Sequence, residues 1–401
     1  MLRVPVRQLH ALVPGFASSL ANGSHVESDA PEVLWTSVDN VTQEEVGVVR
    51  VPPHHLHRLR RSAAGQRLVI SNLQDWIDSL ASLASESSDQ SSSPAPHFST
   101  LVPSFRLDQY HTLDQIYEFL NEVSRRSPGV TVFDITTTHE GRKLKGIEIV
   151  GNAKDATLVW IDAGTHAREW ITPAVALFIV EQSILTRFPF NLVVVPVLNP
   201  DGYSYTWTND RLWRKNRRPP SRDGMSDSCF GVDLNRNYDI AFGGQGSSPS
   251  ECSHLFQGPS PLSEPETLAT ANLLWTIRRQ VRMYVSLHSF NQLWAAPFAY
   301  TKSTSPHHDI HMEVLREIQS AVYRSSGIRY SIGPLSTSLY VGSGFALDWV
   351  YAKAKITHSY LAELRDKGYY GFLLPADQIL PTAMETWEGI RAGILKIYES
   401  R

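Results

Sequence analysis

Long apolar runs are missing from this chain of 401 residues. None approaches the ~18–20 residues that a bilayer-crossing helix needs. The longest, Ala174 to Val180, has the length of a core helix segment. An excess of either charge is also missing: 37 Lys and Arg stand against 40 Asp and Glu, a formal net charge of −3. That balance gives no electrostatic reason to expect nucleic acid or a membrane surface as partner. Only two cysteines are present, Cys229 and Cys252, too few for a disulfide-built scaffold. They leave two readings open, a pair of buried thiols or a staple beside the Gly/Ser-rich stretch from Gly243 to Ser253. Internal repeats are absent. With 42% hydrophobic and 19% charged residues, the composition is globular rather than disordered.

The clearest boundary is a Ser/Pro-rich segment, residues 82–97, which cannot bury a core and reads as a linker. Upstream, residues 22–81 read as a small α+β unit, marginal in isolation. Its expected elements are strands at Gly47–Val51 and Leu68–Ile70, a basic helix at Pro53–Ser62 and a helix at Asn72–Leu83. Residues 1–21 read as a weak signal segment. Arg3 and Arg7 precede Leu9–Ala21, although His10 and Pro14 interrupt the apolar region. Two sequons, Asn22-Gly-Ser and Asn40-Val-Thr, point the same way, toward a secreted or vacuolar protein.

Residues 98–401 alternate amphipathic helices with continuous apolar strands. Helices are expected at Leu113–Ser127, Pro173–Arg187, Leu262–Gln280, His308–Ser326 and Thr382–Tyr398. Strands are expected at Thr157–Ala163, Asn191–Leu198, Met283–Leu287 and Ile356–Leu364. The pattern predicts an α/β fold, a mixed, mostly parallel central sheet with helices on both faces. In such folds the chemistry collects at the carboxyl ends of the strands.

One strand runs into Thr165-His166, and Glu169 follows three positions later in the strand-to-helix turn. An imidazole and a carboxylate so placed can converge on one cation, and zinc accepts both ligand types. This is the single His-x-x-Glu among 15 histidines, yet composition alone supplies roughly one, so a capping carboxylate beside a loop histidine is the plain alternative. His288 ends another apolar strand, a matching topological position that favours a shared metal. By contrast, His307, His308 and His311 open a polar helix after Pro306 and read as solvated surface.

With these residues in hand the sequence resembles the zinc carboxypeptidases of the pancreatic A/B type, and is similar to secreted fungal-type members with a diverged pro-domain. The blocks that carry the resemblance include His111-Thr-Leu-Asp-Gln-Ile-Tyr117, Thr165-His-Ala-Arg-Glu-Trp170 and Leu198-Asn-Pro-Asp-Gly-Tyr203. They continue through Arg211-Leu-Trp-Arg-Lys-Asn216, Gly231-Val-Asp-Leu-Asn-Arg-Asn237, Ser286-Leu-His-Ser289 and Glu363-Leu-Arg-Asp366, which is followed by Tyr370-Gly-Phe-Leu-Leu-Pro375. The resemblance implies one zinc per chain, held by His166, Glu169 and His288. It implies Glu363 as general base and Arg214 as the group that stabilises the oxyanion. Asn235 and Arg236 would bind the substrate's terminal carboxylate, Tyr340 would close over it, and Arg168 would meet the peptide backbone. Leu347 would floor the specificity pocket, where basic-specific members carry a carboxylate, so apolar and aromatic C-terminal residues are expected. Cys229 and Cys252 match the family's disulfide. Residues 22–81 would be its pro-domain, and the protein a monomer acting on peptide or protein C-termini.

Three departures accompany the resemblance. Between Asp348 and Glu363 the chain is one residue longer than the family norm, and the extra residue is expected before Ile356, so that Glu363 keeps its face. Phe290 stands where many members have tyrosine, with little expected consequence. No Lys or Arg lies between Arg67 and Arg106, so activation would need a protease other than a trypsin-like one, or else the upstream unit stays attached. The alternative function is an inactive zinc-binding relative that holds peptides or cell-wall material, against which the retained Glu363, Arg214, Asn235 and Arg236 argue. A zinc deacylase of the aspartoacylase type is disfavoured by the tyrosine-bearing segment and the two-part layout.

Overall fold

The computed structural model describes residues 1–5, 32–38, 45–51, 67–70, 72–82, 97–152, 157–222 and 224–400. Four strands come first: β1 (Leu2–Pro5), β2 (Glu32–Val38), β3 (Glu45–Arg50) and β4 (Arg67–Leu68). They form an antiparallel sheet in the order β2-β3-β1-β4, so residues 2–5 of the expected signal segment lie in the middle of a sheet. The helix expected at 53–62 and most of the linker, 83–96, lie outside the described residues. Helix α1 (Leu73–Ser82) follows and carries this unit onto the rest of the protein. There Trp76 stacks on Tyr370 with ring centroids 5.7 Å apart, and its indole N–H donates to the Leu373 carbonyl at 3.2 Å.

The larger sheet has eight strands: β5 (Val130–Thr137), β6 (Lys143–Ile149), β7 (Leu158–Asp162), β8 (Asn191–Val195), β9 (Val281–His288), β10 (Leu293–Ala296), β11 (Ser331–Pro334) and β12 (Ser359–Glu363). Their order is β11-β10-β12-β9-β7-β8-β6-β5, with a parallel centre β12-β9-β7-β8, antiparallel pairings β10-β12, β8-β6 and β6-β5, and a parallel pairing of β10 with β11 at one edge. The centre is parallel because its strands are apolar at nearly every position and must be covered on both faces. All five residues of β7 are buried.

Helices supply that cover: α2 (Leu113–Arg126), α3 (Ile171–Leu185), α4 (Pro200–Thr208), α5 (Pro265–Ile277), α6 (His308–Ser326), α7 (Ala346–Ala352) and α8 (Ile379–Glu399). Helix α3 is apolar almost all round and buried along most of its length, as a helix between sheet and neighbouring helices must be. Helix α2 begins with a reciprocal capping box between Thr112 and Gln115. Helix α6 stops at Gly327, whose φ of 71° is the left-handed conformation that a C-cap favours. Where β7 turns toward α3, Gly164 has φ 65°, and a Cβ there would lie 3.0 Å from Val197 Cα. The chain can therefore bend sharply only with glycine at this position.

One expectation is corrected by the fold. His311 is not solvated: it is fully buried, with Nε2 2.8 Å from the Thr357 carbonyl and Nδ1 3.2 Å from Ser305 Oγ. His307 is half-buried and sits 2.8 Å from the Tyr351 hydroxyl. The first turn of α6 faces the loop before β12, so histidines flanked by polar residues still turn inward.

Cys229 and Cys252 are joined in a disulfide. Thiol titration in denaturant without reductant should therefore read no free thiol, and two after reduction. Closing a loop across 23 residues corresponds to about 3 kcal/mol on the chain-entropy model, so the Cys229→Ser, Cys252→Ser pair should unfold at a measurably lower temperature.

Candidate active site

Strands β7, β9 and β12 run side by side, and their carboxyl ends deliver the groups that matter. Glu363 ends β12 in register with His288, which ends β9. His166 and Glu169 lie in the turn between β7 and α3. All three expected ligands are buried and come together. His166 Nδ1 is 2.8 Å from Glu169 Oε1 and 3.1 Å from His288 Nδ1, and His288 Nδ1 is 3.2 Å from Glu169 Oε2. Burial opposes a charged Glu169, but His166 and His288 outweigh it and hold the carboxyl well below its ordinary range. Burial, with Arg214 nearby, holds His166 toward the neutral imidazole that a metal requires.

This donor set suits zinc. Two imidazole nitrogens and a carboxylate are its usual ligands, and with bonds of ~2.0–2.1 Å two tetrahedral nitrogens stand about 3.3 Å apart, close to the spacing found here. Each imidazole also has a partner for its other nitrogen. His166 Nε2 lies 3.2 Å from Asp233 Oδ1, and His288 Nε2 lies 3.1 Å from Ser286 Oγ. A second acidic group, His139 with buried Glu264 and Glu266, fits a cation poorly. Its Glu264 is already bonded by Arg218 at 3.0 Å, His139 at 2.9 Å and Asn216 at 2.9 Å.

The other expected residues surround the ligands. Arg214 donates twice to Asp233 Oδ2, from Nε at 3.0 Å and Nη2 at 2.8 Å. Arg236 is 1% exposed and held by three bonds, from Nε to the Gly246 carbonyl, Nη1 to the Asn235 carbonyl and Nη2 to the Tyr340 hydroxyl. Asn235 Oδ1 accepts from Ala346 N at 2.9 Å, which turns the amide nitrogen toward His288. Arg168 lies 4.0 Å over the Phe372 ring, and among the described residues no carboxylate pairs with it. Burial, then Arg214, lowers Arg168 to about 10, still cationic at neutral pH.

Glu363 is half-buried, and its carboxylate accepts no hydrogen bond among the described residues. Burial pushes it up to about 8; Glu169 adds to the rise, while His288, Arg214 and Arg236 oppose it. In the loop after α7 Lys355 adopts φ 61°, and Glu363 pairs in register with His288. Leu347, on α7, is wholly buried among Leu293, Ala295, Ala299, Leu335, Phe345 and Leu361. The neighbouring Asp348 is occupied elsewhere, accepting from Ala299 N and Tyr300 N at 3.0 Å.

Sequence reasoning singled out neither Asp233, which links His166 to Arg214, nor Asp162 and Ser286 behind His288. Asp233 lies within Gly231–Asn237, and its one signal is an acid among residues apolar enough to be buried.

A family model described as zinc carboxypeptidase matches residues 116–389. Carboxypeptidase A6 of Homo sapiens is 34% identical over 382 residues, covering 89% of this chain and 82% of that protein. Carboxypeptidase B of Astacus astacus is 34% identical over 290 residues, covering 70% of this chain and 95% of its own length. The crystal structure of thrombin activatable fibrinolysis inhibitor matches with a TM-score of 0.79 at 32% identity, over 90% of each chain. That of carboxypeptidase A from Helicoverpa armigera matches with 0.76 at 26% identity, over 100% of this chain and 97% of that one. These animal proteins mark the family, not a fungal subgroup within it.

Metal analysis should find one zinc per chain. His288→Ala should lose it, whereas His307→Ala, remote from the cluster, should retain a full equivalent.

Proposed function

This chain belongs to the zinc carboxypeptidase family, and from that premise we propose that it releases apolar and aromatic residues from the C-termini of peptides. It is a metallocarboxypeptidase, a peptide hydrolase. The observation that carries the finer reading is the company kept by Leu347. The cluster around it is wholly apolar, and the one acid beside it, Asp348, is bound to backbone amides. A buried Lys or Arg side chain would find no counter-charge there, while an aromatic or branched residue would gain about 1.5–3 kcal/mol from burial.

The remaining roles follow from position. Arg236 and Asn235 bind the terminal carboxylate, the guanidinium through its planar fork. Tyr340 is 43% exposed with its hydroxyl on Arg236, so it can move onto the substrate as the carboxylate arrives. Arg168 meets the upstream peptide carbonyls. Arg214, fixed by Asp233, faces the oxygen on which negative charge develops. Zinc, when bound by His166, Glu169 and His288, supplies Lewis acidity and acidifies a water. Glu363 takes the proton of the attacking water and returns it to the departing nitrogen as the C–N bond breaks. A carboxyl raised by burial suits both halves of that exchange.

Residues upstream of the linker act as the pro-domain in this reading. The support is the seat of Trp76 on Tyr370 and Leu373, in the segment that follows Glu363 and carries Phe372. Secretion is proposed too, on the disulfide between Cys229 and Cys252.

Release of C-terminal Phe against C-terminal Arg from blocked dipeptides tests the specificity. Wild type, freed of residues before the catalytic domain and zinc-loaded, should favour Phe, and Leu347→Asp should shift preference toward Arg. Release of neither residue would favour the inactive-relative reading. Glu363→Gln should keep zinc but lose about 10²-fold or more in kcat. Because the base acts deprotonated, wild-type kcat/KM should fall with acidification, a limb that Glu363→Gln should lack.

A further inference from the structure

His288 turns Nδ1 toward the cluster and Nε2 toward two polar residues that the mechanism leaves unused. Asp162 ends β7, and Ser286 is its register partner on β9. Both are buried, 2% and 1% exposed. Ser286 Oγ donates to Asp162 Oδ1 at 2.6 Å and lies 3.1 Å from His288 Nε2. The other carboxylate oxygen of Asp162 accepts the Trp160 indole N–H at 2.9 Å. We propose that Asp162 and Ser286 are positioning residues for metal binding, a relay that fixes His288 as the tautomer with its lone pair on Nδ1. This rests on the reading of His166, Glu169 and His288 as the zinc ligands.

The argument is one of proton counting. A serine hydroxyl has a single proton, and the carboxylate of Asp162 claims it. Ser286 Oγ can then only accept from His288, so Nε2 carries the ring proton and Nδ1 is left bare. If the hydroxyl were released from Asp162, it could turn and donate to Nε2. The ring proton would then move to Nδ1 and have to be displaced before a cation could bind there. Without a metal the Glu169 carboxylate, 3.2 Å from Nδ1, draws the ring proton the other way, a pull that a cation bound there replaces. One contact on the far side also opposes the relay: Asn235 Nδ2, 3.3 Å from Nε2, could donate to a bare nitrogen. It is the longer contact, and the bond it competes with is anchored on a charge, which makes it roughly twice as strong as a neutral pair. His166 has the simpler device, a carboxylate, Asp233, directly on its Nε2 at 3.2 Å. The two imidazole ligands thus reach the same tautomer by different means, one direct and one relayed.

The test is zinc affinity of the full chain, stripped of metal and titrated against a chromophoric chelator. Asp162→Asn keeps the shape but presents an amide donor to either Ser286 or Trp160, and Ser286→Ala removes the relay. Each should weaken zinc binding about 10–100-fold, the scale for losing such support, and the double variant should be little worse than the weaker single one. In the metal-free protein, at a pH that leaves the histidine rings neutral, ¹⁵N spectra should show a smaller Nε2-protonated share of His288 in Asp162→Asn than in wild type. A merely structural role would lower thermal stability without moving that signature. Should Asp162→Asn fail to fold, Ser286→Ala decides alone. Unchanged affinity and unchanged ring nitrogens in the folded variants would overturn the relay. If His288→Ala retained wild-type zinc affinity, the ligand assignment beneath the proposal would fall instead.

Discussion

Asp233 is a wholly buried carboxylate, and the cations of the site are arranged around it. Its charge is tolerable in the interior because Arg214 binds one oxygen twice, and His166 and the backbone N–H of Asn235 meet the other. Burial acts against the ionised form, but Arg214, Arg236 and His166 together overcome it and hold the group well below the ordinary range. The same side chain caps the short turn Leu234–Arg236, so it also shapes the backbone that presents Asn235 and Arg236. Without it, two buried guanidinium groups would face each other and a metal-ligating imidazole would lose its orienting partner. Backbone conformation, cation placement and ligand orientation all pass through this one group.

Two further carboxylates divide the labour by environment alone. Glu169, between two imidazoles, stays ionised and is suited to hold a cation. Glu363, one strand away, meets burial with too few donors and is pushed toward the neutral form. Identical chemistry is thereby split into two protonation behaviours, suited to the proposed roles of metal ligand and proton carrier. The separation depends on the parallel pairing of β9 and β12, which sets Glu363 beside His288 at the mouth of the sheet.

Much of this was legible before the fold was known, for physical reasons. Strands β7, β8 and β9 announce themselves by continuous apolar residues, and α6 by its amphipathic stripe and terminal Gly327. The candidate ligands His166, Glu169 and His288 can be picked out because strand ends and the start of α3 are local features. Strands β5 and β6 escaped notice because they lie at the sheet's margin and are only partly buried, so their alternation is diluted with charged residues. Strands β10 and β11 are four residues each, too short to show a period. Helix α5 was read too long, since Pro265 sets its first turn and excludes the residues before it. Burial of a polar residue is a tertiary fact, and no window of sequence states it. Hence His311 was misjudged, and Asp233, Asp162 and Ser286 went unremarked.

The loop between α7 and β12 has a bearing on length variation. Lys353 and Lys355 are exposed there, and Lys355 makes a left-handed turn before the strand that follows. A parallel strand locked between two neighbours resists slipping, because every side chain would change face. A change of length in this loop would therefore be taken up on the solvent side of Ile356. This loop is the chain's expansion joint, a place where a tag or reporter could be spliced with the cleft undisturbed.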